Sequence, residues 1–212
     1  MNTAETARAE AMARGLVGGR ETRSGTGTAP RVVEARAAGG GWTLEGHASV
    51  TGQETVIAGV FRELIEPGAF AGVLDGDTVH NLEHDNAFVL GRTTAGTLRL
   101  SEDGTGLRYS VDLNPRDPQA VSVREKVRRG DLSQASFAFT VERESWRKAG
   151  DGEELSLRRI VRVGRLWDTS TVAFGAYPSA TSAVRGEAER FEAAAMARRH
   201  LRRERMLRGP GA

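Results

Sequence analysis

Three short stretches of the chain carry side chains that could do chemistry. The first is Asn81-Leu82-Glu83-His84-Asp85, where an apolar strand pattern runs into a polar cluster. Imidazole is the side chain best suited to moving a proton near neutral pH, so His84 is a candidate general base, although a histidine at a strand end is more often structural. His80 lies four residues earlier and, by strand parity, on the same face. That would allow a metal pair, but no carboxylate spacing completes such a site, and no metal is expected. The second stretch runs from Gly130 to Phe139 and holds Ser133 and Ser136. A helix ends there, the chain turns sharply, and a strand opens with a serine. A hydroxyl becomes a useful nucleophile only when a rigid backbone holds it beside a base. The plainer reading is a turn or cap serine. In the third stretch, Leu166 to Phe174, Asp168 interrupts an apolar strand. It is either an exposed edge residue or a buried acid held by partners, and a buried acid could orient an imidazole. No phosphate loop, dinucleotide fingerprint or helical zinc motif occurs, so no cofactor is expected.

The elements that must position these groups read as mostly β. Residues 1–30 have no apolar periodicity and end in Gly, Thr and Pro, which predicts a flexible N-terminal segment. An ordered body then begins near Arg31. Residues 31–37 and 41–50 alternate around a glycine triplet and predict a hairpin. Pro67-Gly68 marks a turn, and residues 69–74 suit a short helix. Residues 78–85 read as a strand, and residues 96–103 and 106–113 as a hairpin around Asp103-Gly104. Residues 117–131 form the one convincing internal helix, with Val121, Val123 and Val127 apolar and Gly130 ending it. Residues 136–146 and 157–178 are β-rich, and 187–208 are rich in helix formers. Seven or eight short, mostly sequential strands with few helices predict a mainly β (α+β) fold, a barrel or strongly curled sheet. A doubly wound α/β fold would need helices between most strands.

At 212 residues the chain is long enough for one domain with tails. It has no cysteine, which excludes a disulfide scaffold, cysteine-ligated metals and a thiol nucleophile. No run of 18 apolar residues occurs, and the N-terminus lacks the apolar stretch of a secretory signal, so the cytoplasm is the expected compartment. Net charge is +2, but Arg185 to Arg208 holds eight Arg against four Glu, or about +4. That tail reads first as a solvated helix face, and only secondarily as a weak contact for nucleic acid or an acidic partner.

Several segments form an ordered series: Gly46–Val50, Phe61–Phe70, His84-Asp85, Leu90–Thr93, Gly96–Leu100, Arg129–Ser133 with Ser136–Phe139, and Asp168–Phe174. Taken in that order they resemble the prohead (capsid maturation) serine proteases of tailed bacteriophages, relatives of the herpesvirus assemblins. The resemblance covers residues 31–182 and leaves 1–30 and a basic helical tail, 183–212, as appendages. It implies an assemblin-like antiparallel β-barrel surrounded by a few helices. It also implies an endopeptidase that cuts scaffold, or the scaffolding extension of the major capsid protein, and itself, inside the immature capsid in the host cytoplasm. Major capsid protein and scaffold are the implied partners. Assemblins depend on dimers, so a homodimer is carried over with them.

In that family pattern His84 matches the general base and Ser136 the nucleophile. Ser133 is the fallback nucleophile, and strand parity lets only one of the two serines face His84. Assemblins carry a second histidine where this chain has Asp168, which can accept the imidazole's other N–H in the same way. The assemblin arginine pair has no counterpart in 175–184, leaving Arg92 or backbone N–H groups near Ser136 as oxyanion donors. His47 is assigned no role. The competing expectation is a catalytically inactive, scaffold-binding assembly module with the same fold.

Overall fold

The computed structural model describes residues 19–34, 41–57, 59–150 and 152–173. The basic tail and residues 1–18 lie outside the described residues. In chain order the elements are β1 (Glu21–Ser24), β2 (Arg31–Glu34), β3 (Trp42–Val50), β4 (Glu54–Ile57), β5 (Phe61–Ile65) and β6 (Val79–Leu82). They continue with β7 (Asp85–Arg92), β8 (Leu98–Glu102), β9 (Gly106–Leu113), α1 (Pro118–Arg129), β10 (Gln134–Arg147) and β11 (Leu157–Val172).

The expected closed antiparallel barrel does not form among the described residues. Instead there are two sheets. One has seven strands, in the order β1-β10-β11-β5-β4, with β6 also pairing β11 and β7 pairing β6. The other runs β2-β3-β9-β8. Side chains from both sheets, such as Leu44, Leu107, Phe137 and Ile160, share one apolar core. Two pairings are parallel because β11 is long enough, at 16 residues, to pass two strands in turn: Leu157–Ile160 lies beside β5 and Asp168–Thr171 beside β6.

Local chemistry explains both ends of α1. Asp117 caps α1 by accepting the Gln119 N–H, Pro118 opens the helix, and Gly130 closes it in the left-handed region. Ala120, Val123 and Val127 form its buried face, whereas Val121 is only half-buried. Residues 69–74 make turns rather than a helix. Their N–H groups bond back three residues, as in Ala69 to Glu66 and Val73 to Phe70, and Gly68 and Gly72 loosen the backbone.

The N-terminal segment differs most from expectation. Glu21–Ser24 is a strand antiparallel to β10, and residues 25–30 are tied down by Thr28 N–H to the His47 carbonyl and Val50 N–H to the Thr26 carbonyl. Apolar periodicity does not reveal β1, because its inward side chains are Glu21 and Arg23. Both are buried in an ionic cluster with Glu63, Arg158 and Glu144. Burial alone would raise the Glu63 carboxyl, but the adjacent charges and hydrogen bonds of Arg23 and Arg158 outweigh it and hold that pKa low.

Candidate active site

Two strands and a turn deliver the three groups. Ser136 sits near the start of β10 directly opposite Ser170 of β11, and Ala138 opposes Asp168. The register then slips: Phe139 opposes Leu166, leaving Trp167 as an extra residue in β11. Under strict alternation Leu166 and Asp168 would face the same way. The bulge separates them, sending Leu166 into the apolar core and Asp168 to the face that carries Ser136. That is how an acid can interrupt an apolar strand without entering the core.

His84 is not part of a strand. Glu83 and His84 both have positive φ, 54° and 58°, and join β6 to β7 as a tight two-residue turn. Non-glycine residues in that conformation carry strain that surrounding contacts must offset. Here the Glu83 N–H donates to the Thr171 carbonyl, the His84 N–H to Ser170 Oγ, and the Ala173 N–H to Glu83 Oε1. Ser170 in turn donates to Asn81 Oδ1. The turn is thereby fixed against β11.

The result is a continuous line of hydrogen bonds. His84 Nδ1 lies 2.6 Å from Asp168 Oδ1, and His84 Nε2 lies 2.5 Å from Ser136 Oγ. Ser136 is 0% exposed and Asp168 1%, while the His84 side chain keeps 22% of its surface in solvent. A carboxylate held on Nδ1 fixes the tautomer that leaves Nε2 free to accept a proton.

Three further groups touch this line, and all come from the N-terminal segment. Ser24 Oγ is 2.6 Å from Ser136 Oγ, and the Arg23 carbonyl accepts from Ser136 Oγ at 3.0 Å. The half-exposed Arg20 guanidinium pairs with Asp168 Oδ2. Sequence reading missed these residues. The one available signal was the period-2 alternation of charged and hydroxyl side chains in Glu21-Thr22-Arg23-Ser24.

The other sequence-predicted residues lie elsewhere. Ser133 is exposed ahead of β10 while the His84 ring is turned to Ser136. Arg92 is engaged by Asp77 at 2.7 and 2.5 Å, beside Val79 at the opposite end of β6 from the turn, so it is no oxyanion donor in this arrangement. His80 does not share a face with His84, because the turn breaks strand parity. Its ring is fully buried between the Thr169 and Thr171 hydroxyls, at 2.8 and 3.1 Å. Burial, with the His84 charge second, lowers its pKa to about 3. Among the described residues no group of three or more His, Cys, Asp or Glu could hold a metal ion.

A family model for the Caudovirus prohead serine protease matches residues 31–196. The chain belongs to this family. The prohead-protease match takes in β2 through β11 and therefore Ser136, His84 and Asp168, while β1 lies ahead of it. Among solved structures, the bacteriophage T4 capsid assembly protease, gp21, is similar to this chain with a TM-score of 0.48 and 11% identity, over 72% of this chain and 96% of that one. No curated protein matches the sequence.

Proposed function

We propose that the protein is a serine endopeptidase of capsid maturation, with Ser136 as nucleophile, His84 as general base and Asp168 as the acid that orients it. The observation that carries this reading is the unbroken Asp168–His84–Ser136 line in a chain of the prohead protease family. In this mechanism His84 Nε2 takes the Ser136 proton as Oγ attacks the scissile carbonyl. The imidazolium, held by Asp168, returns that proton to the leaving amine, and an acyl-enzyme remains. A water deprotonated by His84 then releases the acid and restores Ser136.

The proposed substrates are scaffold, or the scaffolding extension of the major capsid protein, and the enzyme itself. The proposed site of action is the interior of the immature capsid in the host cytoplasm. Kinship to the assemblins belongs to the same proposal and rests on the shared order of histidine, serine and third member. All three groups come from one chain, so a homodimer would tune the site rather than complete it.

Coexpression with the major capsid protein and scaffold tests the assignment. Ser136→Ala should abolish processing, since loss of a serine nucleophile costs on the order of 10⁶-fold in kcat. Ser133→Ala should process normally. Undiminished processing by Ser136→Ala, or its loss in Ser133→Ala alone, would show that the wrong hydroxyl has been chosen.

A further inference from the structure

The turn that presents the imidazole is strained, because Glu83 and His84 both lie in the left-handed region and neither is glycine. Such a turn persists only where its surroundings hold it. Two contacts hold Glu83: its N–H donates to the Thr171 carbonyl, and its Oε1 accepts the Ala173 N–H. The His84 backbone is held by a side chain. Its N–H donates to Ser170 Oγ at 3.0 Å, and the Ser170 hydroxyl donates onward to Asn81 Oδ1. Asn81 Nδ2 then donates to Asn86 Oδ1 at 3.3 Å, which turns the Asn81 amide oxygen toward Ser170.

Resting on the serine endopeptidase reading above, we propose that Ser170, backed by Asn81, is a positioning residue of the reaction: its hydroxyl clamps the His84 backbone so that Nε2 stays within reach of Ser136. Three observations carry the assignment. First, Ser170 lies between the two reacting groups. It is the cross-strand partner of Ser136 on one side of β11 and of Asn81 on the other. The strand that bears the nucleophile and the turn that bears the base are therefore referenced to one residue.

Second, Ser170 and Asn81 are both 0% exposed. Packing alone would be met by an apolar side chain of similar size, without the cost of desolvating a hydroxyl and an amide. Third, the hydroxyl stays out of proton transfer. Ser170 lies two residues beyond Asp168 and, by strand alternation, on the same face. A hydroxyl has one proton to donate, and Asn81 takes it. Ser170 thus competes neither with Ser136 for His84 Nε2 nor with the His84 ring for Asp168.

A graded series at this position tests the clamp in the full chain. Ser170→Thr keeps the hydroxyl, Ser170→Cys keeps the shape with a weaker acceptor, and Ser170→Ala removes the acceptor. The readout is the rate at which a small fluorophosphonate modifies Ser136. Ser170→Ala should slow it by about 100-fold, the effect of a displacement near 1 Å in a reacting group. Ser170→Cys should fall between, and Ser170→Thr should recover most of the rate. Asn81→Ala added to Ser170→Ala should cost little more, because the two act through one contact. Should Ser170→Ala fail to fold, the cysteine and threonine forms still make the comparison. Spectra of protein carrying ¹⁵N-histidine read the same geometry without turnover. The His84 proton should sit on Nδ1 in the unmodified and threonine forms and spread over both nitrogens in the cysteine form, a change that lost packing alone would not cause. Labelling of Ser170→Cys as fast as the unmodified chain, or a loss that threonine does not recover, would overturn the proposal and leave Ser136 as nucleophile. If no form is labelled at Ser136, the endopeptidase reading itself has failed, and the clamp falls with it.

Discussion

Among the described residues, two places line up a hydroxyl, an imidazole and a carboxylate. One is Ser136–His84–Asp168, with contacts of 2.5 and 2.6 Å. The other is Thr28–His47–Asp103, with contacts of 3.3 and 2.9 Å. Residue types are nearly the same, yet the surroundings differ. Asp168 is buried and accepts from His84 and Arg20, whereas the Asp103 side chain is 42% exposed and also accepts the Thr105 and Gly106 N–H groups. Asp103 therefore closes the β8–β9 turn, and its charge is screened by water. Thr28 Oγ1 already accepts the His47 backbone N–H, so its lone pairs help fasten residues 25–30 to β3. Under the proposed function, burial of the acid and a hydroxyl close enough to surrender its proton, rather than the three residue types, separate the line assigned to catalysis from the structural one.

Asp168→Asn gives the largest expected break in that contrast. An amide can present a donor to Nδ1 and so favour the tautomer in which Nε2 carries the proton, leaving no acceptor for Ser136. Processing of capsid protein should fall by about 10⁴-fold, with the far-UV spectrum unchanged. Activity within a few-fold of the unmodified chain would mean that Asp168 is not the orienting acid.

How far the sequence reached is clearest from residues around this line. The β2–β3 and β8–β9 hairpins and α1 were legible, because alternation, helix caps and Gly signals agree with the fold. His84 was legible where an apolar strand meets a polar cluster, Ser136 as the serine opening a strand after a helix, and Asp168 as the interruption of an apolar strand, but pattern alone left each with a structural reading. Only the ordered resemblance joined them. Three features escaped for physical reasons. A strand that buries Glu21 and Arg23 has no hydrophobic signature. β7 leaves Phe88 and Val89 partly exposed, so it lacks clean alternation. The Trp167 bulge and the Glu83-His84 turn shift parity by contacts remote in sequence, which is why His80 and His84 were expected on one face and lie on two.

A third histidine sharpens the comparison. His80 has two hydroxyl partners and no carboxylate, and its pKa is lowered to about 3 from an ordinary 6.5. Between those values the unfolded chain takes up a proton that the folded chain does not. Stability is therefore complete above about pH 6.5 and declines as pH falls toward 3, by about 2 kcal/mol at pH 5. Urea unfolding of His80→Gln should show a flatter pH dependence from 6.5 to 5, a window above the range where lowered carboxylates such as Glu63 protonate. An unchanged slope would assign the acid sensitivity to another group.

The smallest effect should come from the look-alike itself. The Asp103 pKa is lowered to about 2, first by its hydrogen bond to His47 and then by the Thr105 N–H. Both partners are structural: one fastens β3, and the other shapes the turn between β8 and β9. Asp103→Asn keeps an acceptor for the turn N–H groups and loses only a water-exposed ionic contact, of a kind typically worth under about 1 kcal/mol. The melting temperature should shift by no more than about 2–4 °C, and capsid processing should be unchanged. A loss of processing comparable to that of Asp168→Asn would mean that the exposed line does chemistry after all, and that burial of the acid is not what divides the two.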